Sequence, residues 1–484
     1  MSDTIRARLG QAALAQLPAA VERPRYTFDD VGIGVVHFGP GAFHRAHQAW
    51  YFDDALAFDP RWAICAVSLK SAGLRDALAA QDGLYTVAVL DAQPRYRVIG
   101  ALRERLVANE ERERVFVRLA APTTHIVTST VTEKGYCLDA DGSLDFAHPD
   151  IAADLASSQA PASVIGHLVE GLRLRRAAGL QPFTTICCDN LADNGGKLGR
   201  AVVALARVRD AGLADWIEAE AAFPRTMVDS IVPASDAALE QRVAATLGVA
   251  DAWPVQREAF AQWVIEENFC GAVPDFARVG ATLTRDVAGY ERAKLRLLNG
   301  AHSTLAYLGS LAGFEAVVDA MQDAQLAAFV EKLMREDIAP HVAAPVGFDL
   351  DPYITAVLAR FRNPAMRHLL AQIAWDGSQK LPFRLLPTIR AALAAQRPLD
   401  DLCLPVAAWF HFVRRAQRDA RKLVDPLADA LYGVAAQCNG EPAHDVARFL
   451  ALAQVFGEEL PRDVMFVAAL QRAYAKLPTA ASTK

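Results

Sequence analysis

The chain has 484 residues, of which 52% are hydrophobic and 22% are charged. This length predicts two or three domains, and the composition is typical of a globular enzyme rather than a disordered chain. The formal net charge is −6 and the pI is near 6.0. These values exclude a global basic field that would draw the chain to nucleic acid or to an anionic membrane.

The sequence has no segment typical of secretion or membrane insertion. Its first thirty or so residues lack the basic start and apolar core of a signal peptide, and no apolar run reaches about 18 residues. The seven cysteines are scattered, without a C-x-x-C pair, which is typical of reduced thiols. We therefore expect a cytoplasmic protein, a monomer or small homo-oligomer, with a small-molecule substrate and no nucleic-acid or membrane partner.

The first part of the chain alternates strand and helix patterns. Strand patterns cover residues 32–38, 62–67, 96–99, 124–131 and 183–188, and a shorter one covers 263–266. Helical patterns cover residues 112–119, 164–177 and 197–207. Strands separated by helices predict a mostly parallel sheet with helices on both faces.

The pattern changes near residue 286, and nearly everything beyond it is helical. The clearest helical segments are 325–334, 404–416, 426–436 and 446–456. We therefore predict an α/β fold in which a Rossmann-like, doubly wound domain (1–285) binds a dinucleotide. A mainly α-helical domain (286–484) would follow it and carry substrate binding and catalysis.

A glycine turn follows the first strand pattern and leads into a helical pattern. Strand, glycine turn and helix form the arrangement that brings backbone N–H groups close to a pyrophosphate. The predicted cofactor-binding residues of this turn are Gly39, Gly41, Ala42, Phe43 and Arg45. His44 stands where a third glycine is usual, so a glycine turn that binds no ligand is the alternative.

Two histidines in this segment, His44 and His47, have a spacing that zinc sites use. A catalytic zinc ion takes three protein ligands, and no third ligand is evident nearby in the sequence. We therefore predict no metal site here and interpret both histidines as part of the helix on the nucleotide side.

Residues 290–302 read YERAKLRLLNGAH and place three chemically useful side chains in an apolar helical pattern. At about 100° per residue, Asn299 lies roughly 140° and His302 roughly 80° from Lys294 around the helix axis. An amine, an amide and an imidazole on one side of a helix indicate an alcohol-oxidising site. The alternative is an ordinary helix with a surface lysine, an Asn-Gly cap and a core histidine.

Several longer motifs carry a family resemblance. They are HFGPGAFHRAHQAWYFDDAL (37–56), QDGLYT (81–86), TVTEKGYCLD (130–139), CDNLADNGGKLGRAV (188–202), FPRTMVDSIVP (223–233), YERAKLRLLNGAHSTLAYLG (290–309) and DGSQKLP (376–382). Over essentially its full length the chain resembles the mannitol dehydrogenase family of polyol-specific long-chain dehydrogenases and reductases. The Lys-x4-Asn-x2-His signature of that family falls on Lys294, Asn299 and His302.

The resemblance implies metal-independent hydride transfer between a nicotinamide cofactor, NAD by the habit of the family, and carbon 2 of a polyol or 2-ketose. Lys294 would be the acid and base, Asn299 and Asn190 would stabilise the oxyanion, and His302 would bind the substrate and orient Lys294. The resemblance assigns further substrate-side roles to Asp229, Lys380 and Glu291, the last in proton movement to solvent.

Four of these residues also have plainer interpretations. Asn190 follows a strand pattern and precedes a helix, so it is suited to cap that helix. Asp229 is suited to a turn. Lys380 and Glu291 would ordinarily lie on a solvated surface.

The sequence departs from the family at the cofactor side. The stretch 68–73 after the second strand has no acidic residue for a ribose hydroxyl, whereas Lys70 and Arg75 are positive. NADP therefore stays open beside NAD.

A second departure concerns the sugar. Gln372 stands where some mannitol dehydrogenases have arginine, and residues 376–382 look closer to fructuronate reductases. Mannitol with fructose is the first substrate hypothesis. Mannonate with fructuronate is the alternative, in which Lys380, His368 or Arg384 would bind the carboxylate. Arabinitol and sorbitol also remain possible substrates.

Two further alternatives remain. Tyr290 and Lys294 have the Tyr-x3-Lys spacing of short-chain dehydrogenases, in which the tyrosine is the acid and base, although those enzymes are about half as long. The chain is also compatible with a non-catalytic sensor of nucleotides or sugars, because a fold does not establish a function.

Overall fold

The computed structural model describes residues 7–157 and 159–477. The chain divides into two compact units, Met1–Val287 and Ala288–Lys484. Across the described ranges, no helix has both the length and the apolar character needed to cross a bilayer.

The first unit contains all the strands found in the described part of the chain. They are β1 (Val21–Glu22), β2 (Ile33–Phe38), β3 (Ala63–Ser68), β4 (Tyr85–Leu90), β5 (Arg95–Ile99), β6 (Leu102–Val107), β7 (Ile126–Ser129), β8 (Thr184–Cys187), β9 (Thr226–Asp229), β10 (Val255–Glu258), β11 (Gln262–Glu266) and β12 (Thr282–Thr284).

Five strands form a parallel sheet in the order β6-β3-β2-β7-β8. The chain builds outward from β2 to β6 and then returns to the other side of β2 to add β7 and β8. This reversal is the topological switch point of a doubly wound sheet, and ligands of such folds bind beyond the carboxyl ends of the strands there. The predicted Rossmann-like fold is confirmed.

The central strands are buried on both faces, as their continuous apolar runs predict. Side chains of a strand alternate between faces. Val36 and Val67 pack in one core with the helical side chains of Leu168 and Leu205. Val35, which precedes Val36 in the strand, packs in a second core on the opposite face.

Helices and single 3-10 turns connect these strands. The helices of this unit are α1 (Ala42–Ala46), α2 (Gln48–Leu56), α3 (Gly73–Ala79), α4 (Arg112–Leu119), α5 (Pro149–Ala156), α6 (Val164–Ala177), α7 (Asn194–Arg209), α8 (Ala211–Glu220) and α9 (Ala237–Leu247). The 3-10 turns are Gln11–Gln16, Pro60–Trp62 and Glu133–Tyr136.

The third strand of the parallel sheet is β6, which the sequence analysis missed. Residues 96–99, predicted as a strand between helices, belong instead to β5, which runs antiparallel to β4 in a second sheet of order β1-β5-β4-β10. Because β6 lies at the edge of its sheet, it carries Arg103, Glu104 and Arg105 in place of an apolar run.

The helix predicted after the glycine turn is interrupted at His47, whose φ of −119° and ψ of −87° lie outside the helical region. Its Nε2 atom lies 3.0 Å from the carbonyl oxygen of Gln262 on β11. Strand β11 is central in a three-stranded sheet of order β12-β11-β9. This tertiary contact is the physical reason for two short helices in place of one.

The second unit is mainly helical in its described residues, with one isolated antiparallel bridge between Ala316 and Leu369. Its helices are α10 (Val287–Ala293), α11 (Gly300–Ala312), α12 (Val317–Gln322), α13 (Ala324–Lys332), α14 (Leu350–Phe361), α15 (Leu370–Ile373), α16 (Gly377–Arg384), α17 (Leu386–Ala394), α18 (Asp400–Arg418), α19 (Ala428–Ala436), α20 (Pro442–Leu450), α21 (Ala453–Phe456) and α22 (Val464–Lys476). Two π-helical turns, Lys294–Asn299 and Leu333–Ile338, and two 3-10 turns, Ala339–His341 and Leu460–Arg462, complete it.

One apolar core holds these helices together. Helix α18 packs against α11 and α22 and contributes the buried Trp409 and Phe410. The rings of Phe410 and Phe449 stack with centroids 4.2 Å apart. This core fixes α11, the helix that continues from the Lys294–Asn299 turn.

Candidate active site

The glycine turn after β2 is shaped by a close approach of two backbones. Gly39 has a φ of +83°, and a Cβ atom at this position would lie 2.3 Å from the carbonyl oxygen of Thr130. The hydroxyl of Thr130 donates to the Gly39 carbonyl oxygen at 2.7 Å. Only glycine satisfies both the positive φ and this contact.

Gly41, in contrast, faces open space. A Cβ atom here would meet nothing nearer than the Gly39 carbonyl oxygen at 3.9 Å. Gly41 precedes Ala42 at the start of α1, beyond the carboxyl end of the central strand. A cradle of this kind admits the close approach of a dinucleotide to the backbone.

The side chains that follow are engaged within the first unit. The ring of Phe43 stacks on that of His47 at 5.0 Å. Arg45 is buried, donates from Nη1 to the carbonyl oxygen of Trp253 at 2.5 Å and lies over the ring of Tyr85. Burial lowers the pKa of Arg45 to about 10.

His44 also packs inside the unit. Its ring stacks on that of His37 with centroids 3.3 Å apart, and both rings are fully buried. Burial lowers the pKa of His37 to about 3 and that of His44 well below its ordinary value. The two imidazoles are therefore neutral at physiological pH.

A half-buried carboxylate joins the ends of β7 and β8. Asp189 accepts hydrogen bonds from the backbone N–H groups of Val131 (2.9 Å) and Thr132 (3.2 Å) and from the hydroxyl of Tyr136 (2.6 Å). Sequence reasoning assigned Asp189 no role, although it lies in the CDN motif. Its contacts fix the backbone from which Asn190 projects.

Asn190 is exposed beyond β8. The residue that precedes α7 as its N-cap is Asp193, so the interpretation of Asn190 as the cap of that helix is wrong.

Asp229 ends β9, is 5% exposed and pairs in register with Gln262. It is therefore a strand residue, not the turn residue of the plainer interpretation.

The cations after β3 are neutralised by carboxylates. Arg75 contacts Asp76 at 2.9 Å, Glu110 at 2.7 Å and Glu111 at 3.1 Å. Glu111 is itself held by the backbone N–H of Val107 at 3.0 Å. The positive charge of Arg75, which left NADP open as an alternative cofactor, is therefore already paired with carboxylates.

Lys70, the other cation of this edge, behaves similarly. It is 73% exposed, and its Nζ atom lies 3.7 Å from a carboxylate oxygen of Asp150.

In the second unit, the segment from Lys294 to Asn299 is a π-helical turn between α10 and α11. A π turn makes i→i+5 hydrogen bonds, so residues five apart lie closer to one face than in an α-helix. The roughly 140° separation expected for Lys294 and Asn299 is therefore wrong, and the wider turn brings them nearer to a common face. Lys294 is only 8% exposed.

His302 lies one turn further along the helix and is buried. Its ring contacts that of Phe361 at 4.5 Å and lies perpendicular to that of His368 at 5.4 Å. Burial first, and then the nearby charge of His368, Arg360 and Arg384, lowers its pKa well below the ordinary value. The imidazole is neutral and is suited to hydrogen bonding.

Helix α16 packs against the π turn and brings two cations. Its last residue, Arg384, places a carbonyl oxygen 3.2 Å from where a Cβ atom of Gly300 would lie. Lys380 is half-buried rather than solvated, and burial lowers its pKa, with the charge of Arg384 acting in the same direction. Glu291 on α10 is also half-buried, and Gln372 on α15 is exposed.

Comparisons with known proteins agree with this architecture of a parallel dinucleotide-binding sheet followed by a helical unit. The model of the Mannitol dehydrogenase Rossmann domain matches residues 33–277, and that of the Mannitol dehydrogenase C-terminal domain matches residues 286–478. The chain belongs to the mannitol dehydrogenase family. This membership confirms the predicted family and class of enzyme, an NAD-dependent oxidoreductase of secondary alcohols.

Individual relatives span nearly the whole chain. D-mannonate oxidoreductase of Escherichia coli is 42% identical over 96% of this chain and 96% of its own length. Mannitol 2-dehydrogenase of Phaeosphaeria nodorum is 38% identical over 97% of this chain and 83% of its own length.

Two solved structures share the fold. The Pseudomonas fluorescens mannitol 2-dehydrogenase, in a ternary complex with NAD and D-mannitol, has a TM-score of 0.80 at 37% identity and covers 96% of both chains. A substrate-free D-sorbitol dehydrogenase has a TM-score of 0.91 at 32% identity, covering 97% of this chain and 100% of its own.

Proposed function

We propose that the enzyme interconverts a six-carbon polyol-type alcohol and its 2-ketose with NAD, using Lys294 as the acid and base. The observation that carries this proposal is a nearly buried lysine on a π turn that ends at Asn299, with a neutral imidazole, His302, about one turn beyond Asn299. Such turns occur often at functional sites. An ordinary surface lysine would not be buried there.

In the oxidative direction, the neutral amine of Lys294 takes the proton of the substrate hydroxyl. Bound NAD supplies the acceptor for the hydride that leaves the same carbon. In reduction, the ammonium of Lys294 returns a proton to the oxygen. Atoms and charge balance in both directions, and no metal is needed.

Charge develops on the substrate oxygen during this transfer, and two amides are assigned to it. Asn299 and Asn190 donate N–H groups to that oxygen, His302 binds a substrate hydroxyl and orients Lys294, and Glu291 relays the proton. Preorganised donors of this kind typically lower a barrier by about 3–4 kcal/mol each. Asp229 and Lys380 bind the remaining polar groups of the substrate.

The segment 1–285 is proposed as the nucleotide-binding domain and 286–484 as the substrate-binding and catalytic domain. The residues proposed to hold the cofactor are Gly39, Gly41, Ala42, Phe43 and Arg45. Gly39 and Gly41 would do so through their backbone, and Arg45 would act indirectly by fixing α1 on Trp253. All seven cysteines are free thiols, which supports a cytoplasmic enzyme, and we expect a monomer or small homo-oligomer.

Mannitol with fructose and mannonate with fructuronate are the two substrate pairs considered. Relatives named for each pair match over nearly the whole chain. Both reactions use the same chemistry at a secondary alcohol. The two substrates differ only in whether one chain end is a hydroxymethyl group or a carboxylate.

Lys294→Ala is expected to lower kcat by at least about a hundredfold, because the proton has no other acceptor at the reacting oxygen. Affinity for NADH, measured by fluorescence titration, should change by less than about twofold. Activity is followed by nicotinamide absorbance on a panel of polyols, ketoses and sugar acids. Lys422→Ala, at an exposed lysine of the same unit, is the control and should keep wild-type rates.

Tyr290→Phe separates the lysine mechanism from the short-chain alternative. The ring of Tyr290 packs on that of Phe348 at 4.6 Å, and phenylalanine preserves this contact. Loss of nearly all turnover in this variant would assign the acid and base to the tyrosine. If the wild-type protein bound NADH but turned over no compound of the panel, it would be a sensor instead.

Asn299→Ala and Asn190→Ala are each expected to lower kcat by roughly ten- to a thousandfold, as for the loss of one oxyanion donor. Each variant is compared with wild type for kcat, for KM and for melting temperature. Near-wild-type kcat in both variants would leave these amides only structural roles.

Gly41→Val is expected to weaken NADH binding by about tenfold or more while preserving the fold. A Cβ atom at position 41 would lie no closer than 3.9 Å to any other protein atom. The added side chain is therefore expected to fill the space proposed for the pyrophosphate. Isothermal titration with NADH and the thermal melting temperature give the two readouts. Unchanged affinity in a folded variant would move the pyrophosphate away from this turn.

Glu110→Gln combined with Glu111→Gln is expected to raise the kcat/KM ratio of NADPH to NADH by at least about fivefold. The change releases the Arg75 guanidinium to bind a 2′-phosphate. Glu113→Gln, at an exposed glutamate of α4, is the matched control. An unaltered ratio would mean that these carboxylates do not set the cofactor preference.

A further inference from the structure

The two cations of α16, Lys380 and Arg384, have no carboxylate partner. The Nζ atom of Lys380 donates to the carbonyl oxygen of Ile373 at 3.3 Å, and Nη1 of Arg384 donates to the hydroxyl of Ser303 at 3.1 Å. Within residues 7–157 and 159–477, no acidic side chain comes within ion-pair distance of either cation. Both side chains are nevertheless half-buried.

Such an arrangement is costly unless a ligand completes it. Burial lowers the pKa of Arg384, and burial together with Arg384 lowers that of Lys380. Other buried cations of the chain are satisfied by a carboxylate, as Arg414 is by Asp445 at 3.0 Å, or by a carbonyl oxygen, as Arg45 is. No carboxylate offsets the cost of burying Arg384.

Two carboxylates, Asp376 and Asp425, lie near enough to raise the pKa of Lys380 against the larger effect of burial, but neither is within ion-pair distance of it. Asp425 accepts from the backbone N–H of Ser378 at 2.8 Å and from its hydroxyl at 2.5 Å. It also accepts from the N–H of Leu427 at 2.9 Å. Asp376 precedes α16 and forms no ion pair with Lys380 or Arg384.

Two further polar groups of the same region are buried without a hydrogen-bond partner. They are the hydroxyl of Tyr307 and the Nδ1 atom of His368. The Tyr307 hydroxyl would lie 2.7 Å from a Cβ atom at Gly377, the first residue of α16. A phenol hydroxyl can donate a hydrogen bond to an anion, as the two cations do.

These groups adjoin the residues assigned to catalysis within this unit. Arg384 touches Gly300 through its carbonyl oxygen, and Gly300 directly follows Asn299. The hydroxyl that Arg384 binds belongs to Ser303, the residue after His302. An anionic group bound here would therefore belong to the same substrate molecule as the alcohol that reacts.

We propose that Arg384, supported by Lys380 and Tyr307, binds a carboxylate on the substrate, so that the preferred substrate is a six-carbon sugar acid and not a neutral polyol. This inference rests on the proposed function and names its substrate class. Guanidinium binds carboxylate through two parallel N–H groups, which distinguishes it from a hydroxymethyl group.

The test compares NAD-dependent oxidation of D-mannonate, D-mannitol and D-mannitol 1-phosphate by the full-length enzyme. We expect kcat/KM for D-mannonate to exceed that for D-mannitol by at least about tenfold. Arg384→Gln should lower this ratio by roughly 10- to 100-fold, the usual effect of losing a charged hydrogen bond, mainly through KM. Arg384→Lys should restore part of the ratio, because it keeps the charge without the planar fork.

Arg367→Gln is the matched control, since Arg367 is exposed, pairs with Glu315 and precedes His368 in sequence. It should leave the ratio at the wild-type value. A wild-type preference for the neutral polyol or for the phosphate overturns the proposal, and so does an equal loss on both substrates in a folded Arg384→Gln variant. Absence of turnover on every substrate would instead contradict the proposed function itself.

Discussion

The π-helical turn from Lys294 to Asn299 is the constraint on which the proposed chemistry depends. A regular helix would point the amine and the amide well apart, whereas the wider turn moves them toward one face. The turn is held by its surroundings, because α16 packs against it and the carbonyl oxygen of Arg384 lies 3.2 Å from where a Cβ atom of Gly300 would be. The geometry of the proposed catalytic residues of this unit is thus set by packing of the helical core.

The charge around Arg75 in the first unit differs from that around Lys380 and Arg384 in the second, and this difference bears on both proposed specificities. In the first unit, Arg75 is surrounded by three carboxylates, which leaves it little attraction for a phosphate. In the second unit, Lys380 and Arg384 are half-buried without any such partner. A paired cation suits NAD, which lacks the 2′-phosphate, and an unpaired one suits an anionic substrate.

Much of the fold was predictable from local pattern. The buried runs at β2, β3, β7 and β8 predicted the parallel sheet, because strands covered on both faces must be apolar throughout. Strand β6 was missed because an edge strand tolerates charge, and the break at His47 was missed because it follows from a contact with β11, distant in sequence. For the site, the sequence provided candidate residues, which stay predictions, and it did not reveal the burial or the contacts of each one.

The sequence by itself determined the family, the doubly wound fold, and which lysine, asparagine and histidine are proposed to carry the chemistry, because these depend on residue type and order. Tertiary structure alone decided that Lys294 is buried on a π turn, that Arg75 is neutralised and that Arg384 lacks a carboxylate. These properties depend on which distant side chains lie within a few ångströms, and spacing along the chain does not encode that.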